Sequence, residues 1–188
     1  MTLLKKIQAA IQDSIEAKKQ IPVRELGLAI QAFIETYQAG QKAIFAGNGG
    51  SAADSEHLVA EFVGRFYKDR LSVPAISLTT NSATLTAIAN DYGYDQVFSR
   101  QLEAFGDLGD IFVPISTSGN SENLVQAIQM AKAKGLTVIS MTGKDGGKIA
   151  QMSDISLCVP HSDTPRIQEA HIVMGHIICE QLELALFS

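Results

Sequence analysis

The sequence predicts an α/β fold built on one five-stranded parallel sheet with helices on both faces. Short apolar runs alternate with amphipathic helical segments through most of the chain. The runs cover residues 43–46, 75–78, 111–115, 136–141 and 155–159. Strands separated by helices form right-handed crossover units, and strands that are buried on both faces are apolar throughout. The expected strand order is the flavodoxin-like order 2-1-3-4-5.

Helical segments fill the gaps between these runs. The predicted segments are 51–64, 82–89, 95–105, 121–134, 147–152 and 165–186. The chain has 188 residues, of which 46% are hydrophobic and 19% charged, and no linker or repeat interrupts the pattern. One domain over residues 1–188 is therefore expected.

Residues 1–40 predict two helices that precede the first strand. Apolar residues recur at helical spacing in the first helix, at Leu3, Leu4, Ile7, Ile11 and Ile15. Pro22 suits the start of the second helix. Because both helices come before the sheet begins, we expect them to pack on the outside of the domain or on a neighbouring subunit.

Composition narrows the class of partner and the compartment. A net charge of −5 argues against nucleic acid, whose phosphates attract a basic face. We expect no membrane span, because no run of apolar residues is long enough, and the N-terminal pattern is not that of a signal peptide. Cys158 and Cys179 stand in apolar contexts and are expected to be reduced core residues of a cytoplasmic protein.

The first predicted strand ends in a glycine-rich turn, Gly47-Asn48-Gly49-Gly50-Ser51, and a helix follows. This arrangement exposes backbone N–H groups at the positive end of a helix, which suits an oxyanion such as phosphate. His57 and Glu61 follow at positions i and i+4, so they share one helix face. The stretch predicts an anion-binding turn with an acid–base or metal-binding pair further along the same helix.

The third predicted strand ends in a second polar turn, Ser116-Thr117-Ser118-Gly119-Asn120-Ser121. Four hydroxyls and no Lys or Arg suit a phosphate held by neutral donors at a helix start. A polar turn with a plain N-cap is the alternative. Because ligands of such sheets bind where the strand order reverses, between strands one and three, both turns are expected at one crevice.

Other motifs have ordinary structural explanations. A dinucleotide site is rejected, because Thr79-Thr80-Asn81 at the end of strand two lacks the acidic residue that holds the ribose. His161 follows the fifth predicted strand and His171 has no identifiable partner, and both are expected to be structural. Asn90-Asp91 is expected in a turn, with an Asx turn as the alternative to a site role.

With these motifs in place, the chain resembles the bacterial phosphoheptose isomerases of the sugar isomerase (SIS) superfamily over essentially its whole length. The motifs that carry the resemblance are Gly47-Asn48-Gly49-Gly50-Ser51, His57-x-x-x-Glu61, Gly64-Arg65, Asn90-Asp91-Tyr92-Gly93, Ser116 to Ser121, Thr142-Gly143-Lys144-Asp145-Gly146-Gly147, and Arg166-Ile167-Gln168-Glu169 with His176. The resemblance implies a single SIS domain and interconversion of sedoheptulose 7-phosphate and D-glycero-D-manno-heptose 7-phosphate through an enediol, the first step toward lipopolysaccharide heptose.

The resemblance also implies roles for residues. Glu61 and His176 would be catalytic, and one zinc ion would be bound by His57, Glu61, Gln168 and His176. The implied substrate contacts are Asn48, Gly49, Gly50, Ser51, Glu61, Asn90, Asp91, Ser116, Thr117, Ser118, Ser121 and Gln168. The resemblance further implies a homotetramer with shared active sites, which members of the family form. One departure is Pro165, where family members often carry an acidic residue, with Asp163 two residues earlier.

Two questions stay open at this point. Glu61 as base and His176 as acid is one mechanism, and a zinc ion that polarises the substrate oxygens is another, because a carboxylate engaged by zinc is a poorer base. The alternatives to this isomerase are a non-catalytic SIS module that binds sugar phosphates or regulates replication, and an isomerase of another sugar phosphate. A binding module has no need of a carboxylate and a histidine at positions 61 and 176.

Separately, the spacing of Gln168 and His176 predicts that a complete zinc set needs two chains. Eight residues of helix separate their Cα atoms by about 12 Å, whereas zinc ligands lie only about 2 Å from the ion. We therefore expect Gln168 and His176 in one pocket to come from different subunits.

Overall fold

The computed structural model describes residues 1–187 and contains the predicted five-stranded parallel sheet. Its strands are β1 (Ala43–Gly47), β2 (Ala75–Ser77), β3 (Ile111–Ser116), β4 (Thr137–Gly143) and β5 (Ile155–Val159). Their order in the sheet is β2-β1-β3-β4-β5, with parallel pairing throughout. The fold class and the flavodoxin-like order are confirmed.

Eight helices surround the sheet in the described part of the chain. They are α1 (Leu3–Lys19), α2 (Val23–Gln38), α3 (Gly50–Val63), α4 (Ser82–Tyr92), α5 (Ser99–Phe105), α6 (Glu122–Ala133), α7 (Gly147–Met152) and α8 (Thr164–Leu186). The segment predicted as a helix over 95–105 divides into a 3₁₀ turn, Tyr94–Gln96, and α5. Asn90 and Asp91 belong to the last turn of α4, so their predicted placement in a turn is wrong.

The two faces of the sheet carry separate halves of the core. In β1, Ala43 and Phe45 face a cluster built with α2, α3 and α8, while Ile44 and Ala46 face a cluster built with α5, α6 and α7. Successive strand residues point to opposite faces, so a strand covered on both sides is apolar at every position. This explains why the strands read as continuous apolar runs rather than as alternating ones.

Helix α1 does not place its apolar stripe on the sheet. It contacts α8 and buries Ser14 and Ala17. The five apolar residues of the predicted stripe are all exposed, at Leu3 (72%), Leu4 (72%), Ile7 (47%), Ile11 (57%) and Ile15 (42%). Residues 1–40 are expected to pack on the domain or on a neighbouring subunit. Helix α2 packs on the domain, because Leu26, Ala29 and Phe33 lie in the core. The stripe of α1 is left without a partner within the described part of this chain.

Within residues 1–187, no helix combines the length and the apolarity that crossing a bilayer requires. Cys158 and Cys179 are both free thiols, and Cys179 is buried. Cys179 belongs to the core, as predicted, whereas the predicted core position of Cys158 is wrong.

Helix α8 is fastened to the end of β4 by a buried histidine. His171 is 0% exposed, and its Nε2–H donates to the carbonyl of Thr142 at 2.9 Å. The Nδ1 atom has no hydrogen-bond partner among the described residues. Burial lowers the pKa of His171 to about 4, although the Thr142 carbonyl partly offsets the shift. The ring is therefore neutral at pH 7, as expected of a structural histidine.

This buried ring predicts that stability falls as the pH drops from 6.5 toward 4. In that window the unfolded chain, with a histidine pKa of about 6.5, binds a proton that the folded chain does not. The contribution of the neutral His171 ring to the free energy of unfolding is fully present above pH 6.5. It falls by roughly 2 kcal/mol by pH 5, at about 1.4 kcal/mol per pH unit. Urea unfolding at pH 7, 6 and 5, at one protein concentration, measures the loss.

The matched control is His171→Gln, which keeps an N–H donor but does not titrate. Carboxylates contribute equally to both proteins, so the difference between the two pH profiles isolates the ring. Parallel profiles for wild type and variant would contradict the assignment.

Candidate active site

In the turn between β3 and α6, the serine hydroxyls lie next to one another instead of capping the helix. Ser121 is the N-cap residue of α6, yet its side chain makes no capping hydrogen bond. Its Oγ lies 3.0 Å from Oγ of Ser116, which in turn lies 3.3 Å from Oγ of Ser118. A plain N-cap would direct the Ser121 oxygen to the backbone N–H groups of the next turn. The geometry therefore favours the anion-binding interpretation.

These hydroxyls line a cavity of about 100 Å³. Its lining residues are Asn48, Ser51, Ile115, Ser116, Thr117, Ser118 and Ser121. It lies between the ends of β1 and β3, where the strand order reverses. The cavity is large enough for several waters or for one oxyanion. Among the described residues that line it there is no Lys or Arg, so hydroxyls, an amide and the N-termini of α3 and α6 supply the polar groups.

Asn48 is held in this cavity by two residues that the sequence analysis missed. Its side chain exchanges two hydrogen bonds with the amide of Asn123, at 3.0 and 2.9 Å. Oη of Tyr94 donates to Oδ1 of Asn48 at 2.9 Å. Tyr94 follows the Asn90-Asp91 motif directly, so that motif lies next to the site in sequence. The presence of an aromatic residue directly after Gly93, the last residue of that motif, is the sequence signal that could have identified Tyr94.

The start of α7, which follows β4, is hydrogen-bonded to the turn after β3. Oδ1 of Asn120 accepts from the backbone N–H of Lys148 at 3.1 Å, and its Nδ2 donates to the carbonyl of Ser118 at 2.9 Å. The N–H of Ile149 donates to the carbonyl of Gly119 at 2.9 Å. The segment that follows the motif over residues 142–147 thus supports the hydroxyl turn.

Three ionisable side chains meet on α3 and α8, which we call the trio: His57, Glu61 and His176. One ligand atom from each lies within 4.8 Å of those of the other two. Nε2 of His57 is 2.9 Å from Nε2 of His176 and 3.5 Å from Oε1 of Glu61. Side-chain exposure is 48% for His57 and 23% for Glu61. The trio is therefore reachable from outside the chain.

Gln168 lies at a different point of the same helix pair. Its amide packs against Gly50, at the start of α3, whereas His176 meets His57 seven residues further along α3. Since α3 and α8 run side by side in the same direction, about 10 Å separates the two places at about 1.5 Å per residue. In one chain, Gln168 therefore stays apart from the trio.

The remaining predicted residues fall outside the cavity. Gly49 is the N-cap of α3 with φ of 56°, a conformation that favours glycine. Asn90 and Asp91 are exposed at the end of α4, where Nδ2 of Asn90 donates to Oδ1 of Asp91 at 2.8 Å. Neither of these two residues lines the cavity.

The sequence departure at Pro165 lies in the first turn of α8, where a missing N–H costs nothing. Asp163 is the N-cap residue, and its carboxylate lies 3.6 Å from Nε of Arg166. His161, predicted to be structural, has Nε2 3.4 Å from the carboxylate of Asp13 on α1. These contacts fasten the start of α8 to α1.

One carboxyl near the trio was not singled out from the sequence. Asp54 lies one turn before His57 on α3, and its Oδ2 is buried without a hydrogen-bond partner among the described residues. Burial raises the pKa of Asp54, and His57 partly offsets the rise. Nothing in its spacing distinguishes Asp54 from a residue of the first helical turn.

Comparison with known proteins gives one consistent result. A family model described as SIS domain matches residues 5–143. A phosphoheptose isomerase from Sulfurimonas denitrificans is 50% identical over 97% of this chain and 96% of its own length. One from Aneurinibacillus thermoaerophilus is 52% identical over 96% and 94%. The solved structure of the phosphoheptose isomerase from Neisseria gonorrhoeae, 42% identical, superposes with a TM-score of 0.92 over 97% of this chain and all of its own.

The hydroxyl turn predicts how the chain binds an anion. Replacing Ser118 and Ser121 together by Ala should weaken binding of inorganic phosphate roughly 150-fold or more, because each hydrogen bond to a charged acceptor contributes about 1.5–3 kcal/mol. Isothermal titration with inorganic phosphate measures the change. The matched control replaces two exposed serines elsewhere, Ser72 and Ser82, and should bind as wild type does. Equal affinity in both double variants would place the anion site elsewhere.

Proposed function

The chain belongs to the SIS domain family, and from that membership we propose that it is an aldose–ketose isomerase converting sedoheptulose 7-phosphate to D-glycero-D-manno-heptose 7-phosphate. The observation that carries the proposal is the trio, which joins a carboxylate and two imidazoles on neighbouring helices. Relatives that are about half identical over nearly the full chain are phosphoheptose isomerases. A module that only binds sugar phosphates would not require these groups, so the non-catalytic alternative is not favoured.

Substrate binding in this proposal begins with the phosphate. The cavity at the ends of β1 and β3 would hold it through Ser116, Thr117, Ser118 and Ser121, and the start of α6 points N–H groups at the same place. Asn48 and Ser51, together with backbone N–H groups of Gly49 and Gly50, would contact the rest of the sugar. The predicted contacts of Asn90 and Asp91 stay predictions.

The chemical step needs a base at carbon and an acid at the carbonyl oxygen. We propose that the Glu61 carboxylate removes the proton from C1 of the ketose and returns it to C2 of the enediol. The Nε2–H of His176 would donate to the carbonyl oxygen, and the other hydroxyl proton would return to the imidazole. His57, 2.9 Å from His176 and 3.5 Å from Glu61, would keep both side chains in register.

The trio also suits a zinc ion. Tetrahedral zinc with ligands at about 2 Å brings those ligands to about 3.3 Å from one another. The measured separations of 2.9 and 3.5 Å are close to that value, and imidazole and carboxylate are ligands that zinc accepts. In this second mechanism, which replaces the roles of free base and Nε2–H acid given above, His57, Glu61 and His176 would hold the ion, with Gln168 of a second copy as the fourth ligand. When bound, zinc would polarise the substrate's oxygens as a Lewis acid.

A homotetramer with shared active sites completes the proposal. Gln168 cannot reach the trio of its own chain, as its place against Gly50 indicates. The exposed apolar stripe of α1 supplies a surface that a second copy would cover, because monomers seldom expose contiguous apolar surface of this kind. We also propose a cytoplasmic location, which the two free thiols support.

The direct test is an isomerase assay. Purified protein should convert sedoheptulose 7-phosphate and should show lower kcat/KM for ketose phosphates with five or six carbons. A higher kcat/KM for one of the shorter sugars would support the remaining alternative, an isomerase of another sugar phosphate. No turnover of any ketose phosphate, with or without added zinc, would contradict the proposed function.

Glu61→Gln should lower kcat about 10²- to 10⁴-fold, because it removes a positioned general base. Since the phosphate cavity lies apart from Glu61, KM should change little. Zinc content, measured on the same samples by elemental analysis, separates the two roles. Loss of activity with zinc retained supports a base, while loss of both supports a ligand. Turnover near the wild-type rate would exclude both roles.

Subunit sharing predicts complementation between inactive variants. Glu61→Gln and Gln168→Ala, mixed after dissociation and reassociation, should recover activity, because about one quarter of sites would draw both intact residues from different chains. Glu61→Gln mixed with His176→Asn is the control and should stay inactive, since those residues belong to one chain's trio. No recovery in the first mixture, with mixed oligomers shown to form, would mean that Gln168 serves its own chain.

A further inference from the structure

A buried carboxylate beyond the trio organises the loop that follows α3. Glu183 on α8 is 3% exposed. Its two oxygens accept from the backbone N–H groups of Phe66, Tyr67 and Lys68 at 3.1, 2.9 and 2.7 Å. Burial by itself raises the pKa of Glu183, but these donors and Arg70 outweigh it, so the pKa is lowered. The loop over residues 64–70 is therefore fastened to α8 through backbone atoms.

Arg70 connects the same carboxylate to the end of α3. Its Nε lies 2.9 Å from Glu183, and its side chain is 5% exposed. Nη2 donates to the carbonyl of Glu61 at 2.9 Å, and Nη1 donates to the carbonyl of Phe62 at 3.0 Å. Carbonyls at the end of a helix have no partner within it and carry partial negative charge. The guanidinium thus fixes the turn of α3 that bears Glu61.

The loop also places an aromatic ring on the trio. The ring centroid of His176 lies 5.7 Å from that of Phe66 and 5.2 Å from that of His57. His176 is therefore in contact with an imidazole on one side and a phenyl ring on another. With both neighbours fixed, few rotamers of His176 remain open.

Stability alone is a weak explanation for this arrangement. A buried ion pair loses so much hydration that replacing it by apolar residues is often neutral or stabilising. The more distinctive property of this ion pair is the direction of its hydrogen bonds. Besides contacting each other, Glu183 and Arg70 bind backbone atoms of the loop after α3 and of the end of α3. Those two elements carry Phe66 and Glu61.

We propose that Glu183, Arg70 and Phe66 are positioning residues of the isomerase. Glu183 and Arg70 hold the end of α3 and the following loop on α8, so that Glu61 stays in register with His176, and Phe66 fixes the His176 ring. The inference rests on the proposed function for its kinetic part. Small misplacements of a reacting group lower rates by up to about 10²-fold, so loss of Phe66 should be visible in kcat.

The sharpest variant is Phe66→Leu, because Glu183 binds the backbone of the loop and the loop should survive the change. We expect kcat to fall roughly 10- to 100-fold with KM within about twofold, since the phosphate cavity is separate. Phe66→Tyr keeps the ring and should restore kcat. Phe105→Leu, the same change in an exposed aromatic residue of α5 (48% exposed), is the matched control and should leave kcat unchanged.

A second readout does not depend on turnover. The chain has four histidines, so ¹³C-labelled histidine gives a spectrum simple enough to assign His176 with His176→Asn. Phe66→Leu should add exchange broadening to the His176 ring signal in relaxation-dispersion experiments, whereas Phe105→Leu should not. Arg70→Lys, which cannot reach both carbonyls, should lower kcat as Phe66→Leu does.

Wild-type kcat in Phe66→Leu, or an equal fall in kcat for Phe66→Leu and Phe105→Leu, would overturn the inference. So would a His176 signal as sharp in Phe66→Leu as in wild type. If the wild-type protein failed to isomerise sugar phosphates, the proposed function would fail, and the relaxation measurement would still decide whether the loop fixes His176.

Discussion

The close packing of α8 along α3 is the constraint on which the site depends. Gly175 faces Leu58, and any side chain at position 175 would collide with it. A side chain at position 50 would likewise collide with the amide of Gln168. Two helices packed this closely have one register, because interiors are dense and do not slide continuously. That register places His176 on the helix face already shared by His57 and Glu61.

Much of the fold could be predicted because it is encoded locally. Apolar runs separated by amphipathic segments predicted all five strands within two residues at either end, and α1 begins at Leu3, where its apolar pattern begins. The destination of an apolar face is not local. The stripe of α1 is apolar for a surface that the described part of this chain does not provide, and sequence periodicity alone does not distinguish it from a core-facing stripe such as that of α2.

The same difference between local and long-range contacts decides which parts of the site could be predicted. His57 and Glu61 are neighbours because helix geometry makes them so, and the hydroxyls of residues 116–121 share one turn. The meeting of His57 with His176 joins residues 119 positions apart, and the spacing rules that place i and i+4 side chains together say nothing about it. The hold of Tyr94 and Asn123 on Asn48 is of this second kind.

The two parts of the site obey different physical demands. The cavity at the ends of β1 and β3 is lined without Lys or Arg in a chain whose net charge is −5, so a phosphate there would be held by directed hydrogen bonds and helix N-termini rather than by a salt-sensitive cationic patch. Groups bound this way interact equally with substrate and transition state, which affects KM more than kcat. In the proposed function the trio acts on kcat instead, because its alignment during proton transfer would lower the barrier. The trio lies between the packed helices α3 and α8, and a buried ion pair fixes the end of α3. This position makes the trio more rigid than a site on a surface loop.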